Sequence, residues 1–285
     1  MRSEKRCKAE WIGIGIAWLL GLLWLQDVSI AATLPEELHY RVSYQGVFSA
    51  GARVSIADIR LRSRRPAGAP YLESELLVSS AAYGAVEAFY PIRYHIRSWY
   101  WPDHSAVVAS EYHEYGRPDD LEHKLILLDR SDRPFLTRNL LRQGRQVLSA
   151  LEAGRYRPKA ARGERRVFDR LGLLQAIRAR TLPIGLRFTA MVSNGSKMMR
   201  YQVKVEKREV VRLDGRGWPA LKLRIDGMER DARGRERPAH RPIYLWVSDE
   251  PRHIPLRAVA RGAAGRIRIE RVTPPVVNLA KRDGS

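Results

Sequence analysis

The chain has 285 residues and carries 51 Lys and Arg against 31 Asp and Glu, a formal net charge of +20. An apolar share of 45% supplies a packed core and excludes wholesale disorder. The excess of positive charge bears on partners rather than on fold, and admits nucleic acid, anionic lipid and acidic glycans.

The N-terminus narrows that choice. Arg2, Lys5, Arg6 and Lys8 precede an uninterrupted apolar run, "WIGIGIAWLLGLLWL" at 11–25. "QDVSIA" then ends in small residues, with Ser29 and Ala31 at the −3 and −1 positions of a cleavage site. This is the layout of a secretory signal peptide. The run is shorter than the ~20 residues that span a bilayer. The sequence therefore predicts a leader over 1–31 and a single exported domain over 32–285, periplasmic in a Gram-negative bacterium. An uncleaved inner-membrane anchor is the alternative. Export sets chromosomal nucleic acid aside as a partner. Removing residues 1–31 takes away four bases and three acids, so the exported part stays near +19. Its polyanionic neighbours there are lipid head groups, lipopolysaccharide phosphates and wall polymers. The single cysteine, Cys7, precedes the apolar run, whereas a lipid-modified cysteine would follow it. Residues 32–285 contain no thiol, so a disulfide and a cysteine-based metal site are excluded there.

Alternation of apolar and polar residues dominates the rest. "LHYRVSY" (38–44) and "ARVSIADIRL" (52–61) read as a hairpin across "FSAG". "YLESELLVSS" (71–80), "YPIRYHIRSWYW" (90–101), "HSAVVASEYHEYG" (104–116) and "EHKLILLD" (122–129) continue the series. Residues 137–154 carry Leu140, Leu141, Val147, Leu148 and Leu151 at helical spacing, and 167–182 carry Leu171, Leu174, Ile177 and Leu182 likewise, with Asp169 placed as an N-cap. "RYRPKAARGERR" between them reads as a basic loop, so 131–166 is expected to be a basic helical insert. "GLRFTAMV" (185–192) meets 197–213 across Asn194-Gly195, and Asp214-Gly215 repeats the device; both dipeptides fit type I′ turns. A polar loop (227–242), "IYLWV" and two last strands close the chain. The expected fold is mainly β: an antiparallel curved sheet or incomplete barrel with one or two helices packed against it.

Chemistry is harder to find. None of the seven histidines shows a compact zinc spacing, and no nucleophile elbow, phosphate loop or dinucleotide fingerprint is present, so no catalytic residue, cofactor or metal is assigned. Glu111, His113 and Glu114 are the nearest approach to a ligand set, and read as solvent-facing polar residues. Ser248, Asp249, Glu250, Arg252 and His253 crowd one corner, where Pro251 fixes φ and the short polar side chains bond nearby backbone, as a turn does. One strand is unusual: Arg93, His95, Arg97, Trp99 and Trp101 share a face. Guanidinium forks on phosphate and indoles on sugar faces make these five the candidate ligand contacts. The other reading packs the tryptophans under a helix or loop.

Three segments together resemble the bacterial envelope family catalogued as domain of unknown function 3108. "YRVSYQGVFSAGARVSI" is similar to its opening. "VFDRLGLLQAIRAR" is similar to its central helix, through Asp169, Leu174 and Arg178. "IYLWVSDEPRHIPLRAVARGAAGRIRIERV" is similar to its closing strands, through Trp246, Asp249, Arg252, Pro255 and Gly265. The resemblance covers about 38–272. It implies an exported β-rich protein wrapped around the central helix, like the periplasmic lipoprotein carriers in shape, and it implies no reaction. The insert 131–166 departs from the family.

The leading expectation is thus a non-enzymatic envelope protein that binds a lipid-like or anionic glycan ligand. Its rivals are an assembly factor whose basic surface contacts a protein or the membrane, and a hydrolase with an unrecognised site. An apolar cavity would favour the first, a filled core with a basic outer face the second, and a cleft gathering His113 or His253 with carboxylates the third.

Overall fold

The computed structural model describes residues 35–115, 123–128, 135–138, 142–157, 167–195, 197–230 and 235–273. The expected leader over 1–31 and residues 158–166 of the expected basic loop lie outside the described residues. Fifteen strands are described: β1 (Glu36–Gly46), β2 (Arg53–Arg64), β3 (Leu72–Ser79), β4 (Arg93–Tyr100), β5 (Val107–Glu114), β6 (His123–Leu127), β7 (Phe135–Arg138), β8 (Val167–Phe168), β9 (Arg187–Ser193), β10 (Met198–Leu213), β11 (Arg216–Arg230), β12 (Glu236–Pro238), β13 (Ile243–Ser248), β14 (Pro255–Arg261) and β15 (Gly265–Val272). Three helices accompany them: α1 (Gly84–Phe89), α2 (Arg142–Glu152) and α3 (Arg170–Arg178).

All strands join one sheet in the order β7-β6-β5-β4-β3-β2-β1-β15-β14-β13-β11-β10-β9-β8, with β12 paired to β11. Every pairing is antiparallel except β8 on β9. The sheet does not close. It curls, because one buried cluster joins Leu72, Tyr100, Val107 and Ile126 from one half to Val203, Leu223 and Leu245 from the other, with Leu173, Ala176 and Ile177 of α3 between them. The fold is mainly β, as expected: one large curved open sheet around a central helix.

Alternation explains how both faces of the β3–β6 region are covered. Leu72, Tyr100, Val107 and Ile126 face inward to α3. Tyr71, Trp99, Val108, Leu125 and Leu127 face outward, where Leu151, Val147 and Leu148 of α2 cover them. The junction of first and last strands is a close backbone approach. Gly46 lies opposite Gly265; a Cβ on Gly46 would stand 2.2 Å from the Ala264 carbonyl oxygen. Tyr44 donates its hydroxyl to that same oxygen at 2.6 Å.

Three expectations change. A short helix, α1, joins the one or two helices expected. Part of the insert 131–166 is sheet: Phe135–Arg138 forms the edge strand β7 on β6, and the helix begins at Arg142. The short helix α1 interrupts the strand series. Asp214-Gly215 is a two-residue turn with positive φ at both positions (47° and 75°). The Asn194-Gly195 hairpin is instead a four-residue loop, closed by Asn194 Oδ1 accepting from the Lys197 N–H at 2.8 Å, and Gly195 carries the positive φ.

Candidate functional site

An apolar cleft of about 380 Å³ opens between the inner face of β3–β6, the first turn of α3 and the end of β9. Leu76, Ile96, Ile126, Leu171 and Leu174 form its walls, and Tyr112, Lys124 and Arg170 stand at its polar margin. Asp169 and Ser110 lie at its floor. The sequence builds this locally. Asp169 has extended backbone and caps α3 by accepting from the Gly172 N–H at 2.7 Å. Its other carboxylate oxygen accepts from Ser110 Oγ at 2.8 Å and from Ser98 Oγ, and those serines are cross-strand partners on β4 and β5. One carboxylate thus orients the helix and pins it to two strands. Burial pushes the Asp169 carboxyl above its ordinary range, against the lowering effect of the three donors.

A second buried polar group locks the other end of α3. Glu36 receives Arg178 at 2.8 Å and Arg252 at 2.8 Å. Arg178 also donates to Gln175 at 3.1 Å. This clamp ties β1, α3 and the corner 248–253 together. That corner is a turn, as read: Ser248 Oγ accepts from the Ile254 N–H at 2.9 Å, and the His253 ring meets the Ser248 carbonyl at 3.1 Å with φ of 41°.

The structure separates the residues singled out from sequence. Arg93 pairs with Glu87 of α1, and His95 with Glu75 at 2.8 Å. Arg97 bridges Glu111 and Glu152 of α2, its guanidinium carbon 5.2 Å from the Trp99 ring. Trp99 is fully buried beneath α2, and Trp101 packs at the rim of that cluster. These five residues therefore lie on the outward face, joined to acidic partners or covered by α2, and they do not line the cleft. Their strand does line it, through Ile96 on the opposite face. Of the residues carrying the family resemblance, Asp169 and Leu174 reach the cleft. Arg178 and Arg252 serve the Glu36 clamp. Asp249 pairs with Arg208, Trp246 donates to Glu209, Pro255 opens β14 opposite Val247, and Gly265 meets Gly46.

Sequence reading missed Glu36, Ser98, Ser110, Tyr112 and Lys124 as neighbours of these groups. Ser98 and Ser110 held the one available signal, small polar residues on the inward register of otherwise apolar strands. Three of the seven histidines form a row, His95 opposite His113 and His113 opposite His123. His113 and His123 stack at 4.1 Å, and Glu111 meets His123 at 2.7 Å. Burial alone would raise the Glu111 carboxyl, but Arg97 and His123 outweigh it and hold it below its ordinary range. This row lies on a sheet face, and no group of three or more His, Cys, Asp or Glu able to hold a metal ion is found among the described residues. Nor is any described helix long and apolar enough to cross a membrane.

No protein-family profile matches the chain, and no curated protein sequence matches it significantly. The resemblance to domain of unknown function 3108 therefore rests on the quoted segments alone. Among the solved structures similar to this chain, two share 10% identity with it. A β-barrel-like protein of domain of unknown function DUF1849 from Brucella abortus aligns over 84% of this chain and 96% of its own, with a TM-score of 0.41. The hypothetical lipoprotein YmcC from Escherichia coli K12 aligns over 91% of this chain and 94% of its own, with a TM-score of 0.27.

Proposed function

We propose that this is an exported, non-enzymatic envelope protein whose apolar cleft holds the hydrocarbon part of an anionic, lipid-like ligand. The cleft itself carries the reading. Its volume of about 380 Å³ lies within the ~300–1,000 Å³ of small-molecule sites, and its walls are branched aliphatic side chains. Such walls reward a hydrocarbon chain at about 25 cal/mol per Å² of apolar surface removed from water. Lys124 and Arg170 at the margin suit an acidic head group. Asp169 is committed to Ser98, Ser110 and Gly172, so the reading gives it a positioning role and no reaction step.

Export and kinship belong to the same proposal. The basic, apolar and small-residue layout of 1–31 supports removal of a leader after Ala31, and the order of three segments supports kinship with domain of unknown function 3108. Expression of the full chain in a Gram-negative bacterium should release to the periplasm a protein whose N-terminal residue is Ala32. A chain still beginning at Met1 would contradict cleavage.

Titration of the purified protein with the fluorescent fatty acid cis-parinaric acid tests the cleft. Saturable binding is expected, lost at least tenfold in Ile96→Trp, whose indole fills the space, and weakened several-fold in Lys124→Ala. Equal affinity in a folded Ile96→Trp variant would contradict the assignment.

A further inference from the structure

A second cavity, of about 430 Å³, lies on the outer face of β2, β1, β15 and β14, beside the tip of the β10–β11 hairpin. Among the described residues, six arginines line it, Arg41, Arg53, Arg212, Arg257, Arg268 and Arg271, against two carboxylates, Asp214 and Glu270. The sheet order creates this concentration. Pairing of β1 with β15 places Arg268 opposite Ser43 and Glu270 opposite Arg41, residues more than two hundred positions apart in the chain. Arg257 stands opposite Glu270 on β14. The hairpin tip is fastened to the site: Arg257 donates to the Arg212 carbonyl at 3.1 Å, and Asp214 accepts from the Thr273 N–H at 3.4 Å. Below the tip, Val211, Leu213, Ala220 and Leu256 form a buried apolar cluster that gives it a fixed base.

The charges within are unbalanced. Among the described residues, Glu270 serves three guanidiniums: Arg53, Arg257 at 2.7 Å and Arg268 at 3.6 Å. Its side chain is 15% exposed, and those of Arg257 and Arg268 are 21% and 26% exposed. Burial makes the Arg268 guanidinium less basic than usual; Glu270 offsets this, while Arg53, Arg257 and Arg266 add to it by repulsion. Arg53, Arg257 and Arg268 thus share one carboxylate, while Arg41 has its own partner in Asp58 at 3.7 Å; three guanidiniums on one counter-charge leave positive charge that an oxyanion meets.

We propose that this arginine-lined cavity is an anion site, separate from the apolar cleft, that binds the phosphoryl group of a phosphorylated ligand. Arg268, Arg257 and Arg53 contact the phosphoryl oxygens, and Glu270 is the internal counter-ion that the ligand supplants. The volume exceeds what one phosphate fills, so the phosphoryl group arrives on a larger body. Free polyphosphate and a phospholipid head group share that chemistry, and the test tells them apart.

The full-length protein is titrated calorimetrically with inorganic pyrophosphate, and by sedimentation with phosphatidylcholine vesicles containing phosphatidylglycerol. Saturable pyrophosphate binding assigns a soluble ligand, and vesicle binding alone assigns a head group. In either arm, Arg268→Gln should weaken binding about tenfold or more, as the loss of a charge-assisted contact does. Glu270→Gln should tighten it several-fold, a sign that damage to the fold would not produce. Arg200→Gln removes the same charge from β10 outside the cavity and should leave the affinity unchanged. Failure of both probes to bind overturns the proposal, as does equal weakening by Arg200→Gln and Arg268→Gln.

Discussion

At Asp169, burial and hydrogen bonding pull the carboxyl in opposite directions, and burial wins. The side chain nevertheless organises the cleft floor, because it satisfies two buried hydroxyls and one N–H at the helix start. Asp169→Ala should cost about 2–4 kcal/mol in urea unfolding, the loss of a cap together with orphaned serine hydroxyls. Asp169→Asn, which keeps an acceptor for Gly172, should cost less than half as much. His104 makes a second prediction. It sits at φ 54° with its ring 5.1 Å from Tyr100. Burial first, and Arg178 second, lower its pKa from 6.5 to about 4. The unfolded chain therefore takes up this proton near pH 6.5, while the folded chain resists it until about pH 4. Stability falls as pH drops through that window, by at most about 3 kcal/mol for this group. His104→Asn, which tolerates the left-handed backbone, should flatten the acid limb of a stability-versus-pH curve. An unchanged limb would remove His104 as its cause.

The helix α3 sits flush on the sheet because Gly172 lacks a side chain. A Cβ there would stand 2.1 Å from Val107 Cγ2 and 2.8 Å from Asp169 Oδ1. Helix propensity alone would make Gly172→Ala stabilising by about 1 kcal/mol. The contact reverses that sign, so Gly172→Ala should lower stability by about 1–3 kcal/mol and weaken fatty-acid binding, because the helix forms one wall of the cleft. Elements of this kind were unevenly legible in the sequence. Long strands declared themselves by alternation, and Asp169 declared the start of α3, because each signal lies within a few residues. Asp214-Gly215 gave the tight turn its chemistry predicts, whereas Asn194 made its bond to Lys197 instead and opened a longer loop. The six-residue helix α1 has too few turns for a periodic signal. β7 is held by pairing with β6, which nothing in its own composition reveals.

Across the whole molecule, the two cavities have different origins. The apolar cleft forms where an open sheet curls over α3 without filling the space above Asp169. The arginine cavity forms where the last hairpin pairs with the first strand. Neither was readable from sequence, because Leu76, Ile126 and Leu174, or Arg53 and Arg268, are brought together only by sheet order. The Arg93–Trp101 face looked like a binding stripe because its partners, Glu75, Glu111 and Glu152, are likewise remote in the chain. Native mass spectrometry of the full chain, expressed as encoded, purified from a bacterial envelope and then solvent-extracted, reads directly whether the cleft carries a ligand. One lipid-like adduct per chain is expected, absent from Ile96→Trp. A bare protein mass, under conditions that preserve the adduct of a known lipid carrier, would contradict it.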